Sequence, residues 1–251
     1  YPLSLEERVE EPAGNVSALP SHFTWARGRI LADDPDELSE QRSATGVITE
    51  LRDQMDTMNE ELLIEAAYFV PLERGVERLR QLTSRGVRVR VLTNSLASND
   101  VLAAHAGHAK YRKALLASGV ELYEMRPDAG VIKKKVHSAT PKAALHTKAM
   151  VFDRESLFIG SFNLDPRSAN INTEAGLYVE SPVLAKRVID YMDEGVQPEN
   201  SYRVVLDEDG RLVWTTREDG REVRYNRDPE SGAWARLMSG FIQVLPVDKQ
   251  L

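Results

Sequence analysis

Apolar residues recur along this chain with two periods, and segments of each period alternate. Val47, Ile48, Leu51, Met55 and Met58 keep a helical spacing, which predicts a helix over residues 44–58. Residues 61–70 are apolar and strand-like, and the run stops at Pro71. Leu72, Val76, Leu79 and Leu82 form a second helical stripe, closed by Arg85-Gly86. Residues 87–92 alternate valine with arginine as a strand does, residues 101–118 read as a helix ending at Gly119, and residues 120–124 read as another strand. Strands alternating with helices predict an α/β fold, a mixed sheet flanked by helices.

The second half continues with a strand and hairpin partner at 142–152 and 157–159 and a further strand at 174–179. Ser181-Pro182 then opens a helix to about 192, with serine as N-cap and proline at the first helical position. After Pro198 the character changes. Three short strands (203–206, 212–216 and 222–225) are separated by Asp209-Gly210 and Asp219-Gly220 turns, and a helix is expected over 231–243. Residues 1–40, rich in Pro, Glu, Asp and Ser, are expected to be an extended linker with short strands such as 23–31, ending at Asp33-Asp34-Pro35. The expected division is therefore a linker at 1–40, a catalytic half-domain at 41–198, and C-terminal hairpins with a helix at 199–251.

Composition narrows the reading. The 251 residues carry a formal charge of −7, which argues against a general nucleic-acid binder, since those show a basic face. Cysteine is absent, so there is no disulfide framework and no thiolate metal site. No apolar run reaches the roughly 18–20 residues of a spanning helix. The chain begins Tyr1-Pro2 and reads as a piece of a longer protein.

The chemistry concentrates between residues 146 and 174. His146, Lys148 and Asp153 follow the pattern His-x-Lys-x4-Asp, then come Gly160-Ser161-x-Asn163 and Glu174. Residues two apart on a strand share a face, so His146 and Lys148 are expected to point together, with Thr147 and Ala149 opposite. Such a set suits a phosphodiester. A neutral imidazole attacks phosphorus, a protonated one delivers a proton to the departing alkoxide, and ammonium, amide and hydroxyl donors stabilise the phosphorane. Gly160 leaves room for close backbone approach to phosphate. Glu174 is a candidate hydrogen-bond acceptor for one imidazole nitrogen, which would fix the tautomer. The scheme requires no cofactor and no metal.

This set resembles one copy of the signature of the phospholipase D superfamily, whose enzymes work through a covalent phospho-histidine and use two copies. The resemblance implies that His146 is the catalytic imidazole of this half, acting as general acid. It implies phosphate contacts from Lys148, Ser161 and Asn163, orientation of His146 by Glu174, and a structural tie at Asp153. Other segments resemble the C-terminal half of bacterial cardiolipin synthases: Tyr68-Phe69-Val70-Pro71, the stretch 86–95, the stretch 105–112, Asp165-Pro166-Arg167-Ser168 and Val244-Leu245-Pro246. That implies transfer of a phosphatidyl group to phosphatidylglycerol, with phosphatidylglycerol or phosphatidylethanolamine as donor. It further implies a membrane surface as the working place, peripheral to the bacterial inner membrane. The partner would be an N-terminal half carrying the first motif, or a second copy; no nucleic acid is expected.

Residues outside the motif carry alternatives. Asn94, past the end of a strand, fits a substrate contact or a turn brace equally. Tyr68 fits a packed aromatic or a site wall; His105 and Tyr111 fit head-group contacts or a surface helix. Arg167 is expected to brace the motif loop by ion pairing. Lys133-Lys134-Lys135, with His137 and Lys142, fits an anionic-lipid contact or a solvated loop. Three readings compete: a lipid phosphatidyltransferase or phospholipase D hydrolase, a nuclease-type phosphodiesterase, and an inert or binding module.

Overall fold

The computed structural model describes residues 23–35, 46–130 and 144–244. The acidic run at 6–11, the lysines at 133–135 with His137 and Lys142, and Leu245-Pro246 lie outside the described residues. Ten strands form one mixed sheet in the order β1-β7-β6-β5-β2-β3-β4-β8-β9-β10. They are β1 (Arg27–Ala32), β2 (Glu61–Ala66), β3 (Arg88–Asn94), β4 (Glu121–Met125), β5 (Lys148–Phe152), β6 (Ser156–Gly160), β7 (Ala175–Glu180), β8 (Ser201–Leu206), β9 (Leu212–Glu218) and β10 (Arg221–Tyr225). The helices are α1 (Val47–Thr57), α2 (Leu72–Ser84), α3 (Leu102–Ala117), the short α4 (Pro166–Asn170), α5 (Pro182–Gly195) and α6 (Ala233–Val244).

The β2, β3 and β4 strands run parallel and are joined through α2 and α3, as parallel neighbours require. The remaining pairings are antiparallel. Alternation along each strand feeds two cores. Leu62, Ile64, Met150, Phe152, Phe158 and Tyr178 pack with Leu51, Met55, Leu79 and Leu115 of α1–α3. Leu63, Val151, Leu157 and Val179 face the other way, onto Ala185, Ile189 and Met192 of α5. The first segment contributes β1, an edge strand on β7, and the C-terminal strands extend the same sheet from β4.

Helix α5 begins as the sequence indicates, with the Ser181 side chain accepting from Leu184 N. Helix α1 is capped from a distance. Gly46 has no side chain to offer, and Asp33 Oδ1 accepts from Val47 N at 2.9 Å, 14 residues away.

Helix α3 is buried on most sides because α6 packs against it and β9 reaches it through Trp214. A polar network fills this interior. Arg112 Nε donates to Glu124 Oε1 at 2.7 Å and Nη2 to Asp228 Oδ1 at 2.8 Å. Trp214 Nε1 donates to Glu124 Oε2 at 2.9 Å, and the His108 ring bridges Glu124 Oε1 and the Phe69 carbonyl at 3.0 and 3.1 Å. Burial alone would raise the Glu124 pKa, but Arg112 and His108 overcome it and hold the carboxyl at about 2. Asp228 is held low in the same way: burial pushes up, and His105 and Arg112 pull down further. Carboxylates with depressed folded pKa values contribute stability above their unfolded values, and that stability is lost as pH falls through the folded ones. Acid unfolding is therefore expected to draw on this pair as pH falls from the ordinary carboxylate range, down to about pH 2 for Glu124 and lower still for Asp228. Glu124→Gln, which leaves Arg112 buried with half its compensation, is expected to lower unfolding free energy by about 3–5 kcal/mol in urea titrations and to flatten the acid limb.

Candidate active site

The candidate residues gather at one end of β5 and β6, beside the carboxyl end of β2 and β3. His146 lies in the extended segment just before β5 and is exposed; among the described residues its ring has no hydrogen-bond partner. Lys148 Nζ donates to the His146 carbonyl at 2.9 Å. Thr147 turns the other way, its hydroxyl 3.4 Å from Tyr191 of α5, so the alternation expected from the two-residue spacing is present. Burial lowers the Lys148 pKa, while Glu174, Asp165 and Asp100 pull it back up. The ammonium is thus half-buried among three carboxylates, of which Asp100 was not a sequence candidate.

Asn94 holds this segment in place. Its side chain is buried, and its four polar valences are used within the protein. Nδ2 donates to the Ala67 and Leu145 carbonyls at 3.1 and 3.0 Å. Oδ1 accepts from Leu145 N at 2.8 Å and from Ser98 Oγ at 3.3 Å. No donor is left for a ligand, so the brace and not the substrate contact is the role the geometry shows. The clamp closes on Leu145, the residue before His146, whose own side chain is packed against Leu92 and Met125.

Glu174 and Ser161 face each other. The Ser161 hydroxyl donates to Glu174 Oε2 in a short bond and accepts from Ala175 N at 3.0 Å. Asn172 Nδ2 donates to Glu174 Oε1 at 3.1 Å. Both oxygens of Glu174 are therefore engaged within the motif loop, and the expected bond to the His146 ring is not present among the described residues. Arg167 braces the same loop through Asn172 Oδ1 at 3.2 Å, an amide and not the expected ion pair. Asp33 Oδ2 accepts from Glu174 N at 3.0 Å, so the cap of α1 also fixes the start of β7.

Asn163 sits opposite Tyr68, whose backbone N–H reaches Asn163 Oδ1 at 3.4 Å. Its Nδ2 has no protein partner among the described residues. The Tyr68 hydroxyl donates to Asp100 at 2.8 Å, and burial together with that bond raises its pKa to about 12. Tyr68 is thus a wall of the cluster. A shallow basin lined by Ser161, Asn163, Asn172 and Glu174 opens to solvent here.

Three candidates lie elsewhere. Asp153 is at the opposite end of β5, roughly 16 Å from Lys148 at strand rise. There it accepts from Asn59, Glu60 and Glu61 N–H groups at 2.8, 2.8 and 2.9 Å, the tying role expected of it. His105 and Tyr111 are buried in α3 and are not brought to the cluster. The His105 ring is 0% exposed and bonds Arg112 at 3.2 Å, and Tyr111 donates to Glu73 at 3.1 Å, so a head group has no access to the former. Gly160 is required for a different reason than expected: a Cβ there would overlap Ala175 O, Gly176 Cα and the Phe158 ring.

Residues 51–195 match a family described as cardiolipin synthase, PLD-like domain. The chain belongs to the phospholipase D superfamily. It is 37% identical to cardiolipin synthase C of Escherichia coli over 228 residues, 89% of this chain and 48% of that protein. It is 27% identical to cardiolipin synthase A of Pseudomonas aeruginosa over 78% of this chain and 33% of that protein. The chain thus spans about half the length, or less, of these curated relatives. Among solved structures, phosphatidylserine synthase of Haemophilus influenzae superposes with a TM-score of 0.55 at 14% identity, covering 89% of this chain and 46% of that one. The phospholipase D family member Nuc of Salmonella typhimurium superposes at 0.50 with 17% identity, covering 71% of this chain and 99% of that one. These two likenesses are of fold. The chain is a phospholipase D-type catalytic domain related to cardiolipin synthases. No described helix is long and apolar enough to cross a membrane.

Asn94→Leu is expected to leave the Leu145 N–H and carbonyl without these partners and the Ala67 carbonyl with only the 3.4 Å bond from Thr93 Oγ1, a loss on the order of 3 kcal/mol. Amide hydrogen exchange at Leu145 should accelerate while Val91, in the middle of β3, stays as slow relative to the new global stability; equal acceleration at both would show that Asn94 does not act locally.

Proposed function

We propose that this chain is one half of a phosphatidyltransferase of the cardiolipin-synthase type, acting through a phosphatidyl-histidine. The observation that carries the reading is an exposed, unbonded His146 ring on the segment that leads Lys148 into β5, at the end of the sheet where Ser161 and Asn163 line an open basin. A nucleophilic imidazole supplied by the partner half attacks the donor phosphorus. The P–N bond forms, the P–O bond to the head group breaks, and protonated His146 gives its proton to the departing alkoxide. The head-group hydroxyl of phosphatidylglycerol then loses its proton to His146 as its oxygen attacks phosphorus, and the P–N bond breaks. Lys148 and the free Nδ2 of Asn163 hold the phosphoryl oxygens, and charge on the phosphorane strengthens those contacts in the transition state. Glu174 acts by holding Ser161 and the loop behind Asn163.

The half-length match to curated relatives supports a second half, either in the same polypeptide or as a second copy. So does the placement of the remaining described histidines, His105 and His108, which are buried in the polar network. Water in place of the alcohol gives hydrolysis, and exclusion of water decides between the two outcomes. The work takes place at the surface of the inner membrane, with anionic phospholipid as substrate.

Vesicles of labelled phosphatidylglycerol distinguish the outcomes. The 251-residue chain held monomeric is expected to make no cardiolipin, and addition of the first-motif half is expected to start turnover; robust turnover by the monomer would overturn the two-half reading. In the complete enzyme His146→Ala is expected to reduce transfer by about 100- to 10,000-fold with an unchanged thermal midpoint. Lys148 holds anions only when charged. Burial shifts its proton loss below the ordinary value of 10.5, so the alkaline limb of the rate profile is expected below that pH. Lys148→Arg, which stays charged, should keep far more of the transfer rate than Lys148→Met at neutral pH. Equal losses in the two variants would remove Lys148 from that role.

A further inference from the structure

A second cavity, of about 370 Å³, lies between α1, α2 and the turn that follows β6. That volume falls within the range of small-ligand pockets, roughly 300–1,000 Å³. Its floor is hydrocarbon, with Ile48, Met55, Phe69, Leu79, Met150 and Phe162 among the lining residues. Three arginines line it as well: Arg52 from α1, and Arg74 and Arg78 from α2.

The cluster is electrostatically unbalanced. Arg78 is paired with Asp56, but among the described residues neither Arg52 nor Arg74 has an ion-pair or hydrogen-bond partner. The guanidiniums are close enough to repel: the Arg52 pKa is lowered by burial and then by Arg78 and Arg74. Asp165 also lines the cavity, yet among the described residues two of its three arginines stay without a carboxylate partner, which is unexpected in a chain of net charge −7. An anion seated between them would relieve the repulsion, and guanidinium forks suit phosphate oxygens. The wall carries strain too: Leu72, which lines the cavity at the start of α2, has φ 53°, a region that non-glycine residues seldom occupy.

We propose that this cavity binds the hydrocarbon chain of an anionic amphiphile, with its phosphate-type head held by Arg52, Arg74 and Arg78. The site is separate from the chemistry proposed for His146, although the two share a wall. Phe162, Leu164 and Asp165 line the cavity, while Asn163, between them in sequence, lines the basin of the candidate active site.

Methionine methyl NMR reads the cavity directly. Met55 and Met150 line it; Met125 and Met192 belong to other core clusters. The 251-residue chain is titrated with dodecyl phosphate below its micelle concentration, and in parallel with inorganic phosphate and with uncharged dodecyl maltoside. Dodecyl phosphate is expected to shift Met55 and Met150 saturably and to leave Met125 and Met192 in place. Inorganic phosphate at the same concentrations should leave all four unmoved. Arg52→Gln/Arg74→Gln, which changes two exposed side chains, should weaken the titration at least tenfold without altering the melting midpoint. The proposal is overturned if maltoside shifts the same methyls with equal affinity, if inorganic phosphate does so, if the double variant binds as the parent does, or if Met55 and Met150 never move.

Discussion

One buried amide sets the position of the exposed imidazole. Asn94 gives both amide protons and its oxygen to the backbones of Ala67 and Leu145 and to Ser98. Those bonds lock the exit of β2, the end of β3 and the approach to β5 into one unit. A catalytic side chain on an extended segment loses rotational and positional freedom only if its backbone is fixed from behind. Here the fixation comes from an amide in the interior, where bonds are not exchanged with water, and from Leu145 packed beneath it. The His146 ring can then remain unbonded and open, which is the state the proposed proton donor needs before substrate arrives.

The rest of the cluster is supported in the same indirect way. Glu174 does not meet His146 but restrains Ser161 and, through Asn172 and Arg167, the loop that carries Asn163. Asp33 joins that loop to the first turn of α1. The interior network of Arg112, Glu124, Asp228 and His108 reaches the site through the Phe69 carbonyl, between Tyr68 and Val70. Phe69 in turn is bridged to Leu164, beside Asn163. Every donor proposed for phosphate is thus mounted on backbone that a buried polar group holds.

The parts legible in the sequence are those whose physics is local. Helices α1, α2, α3 and α5 and the central strands follow from apolar spacing, and Ser181 announces its helix by itself. The tie at Asp153 came from the resemblance and not from local physics, since its partners at Asn59, Glu60 and Glu61 are more than ninety residues away. What could not be read is non-local. Nothing near Val47 says that its cap is Asp33, and nothing near Asn94 says that Leu145 will be its partner. Helical spacing put His105 and Tyr111 on one helix but did not say what covers that helix. The C-terminal strands and α6 cover it, and so neither the head-group contact nor the surface helix that the sequence left open describes these two buried residues. Asp100 gave no signal because its partners, Tyr68 and Lys148, come from other elements.

The central claim is that the exposed imidazole and the donors fixed around it form a phosphoryl site. A crystal structure of the chain with tungstate, a tetrahedral oxyanion, tests it most directly. The anion is expected beside the His146 ring, contacting Lys148 Nζ and Asn163 Nδ2, with the Asn94 clamp on Leu145 unchanged. An anion bound elsewhere while this basin stays empty at saturating tungstate, or a His146 ring turned away from the bound anion, would contradict it.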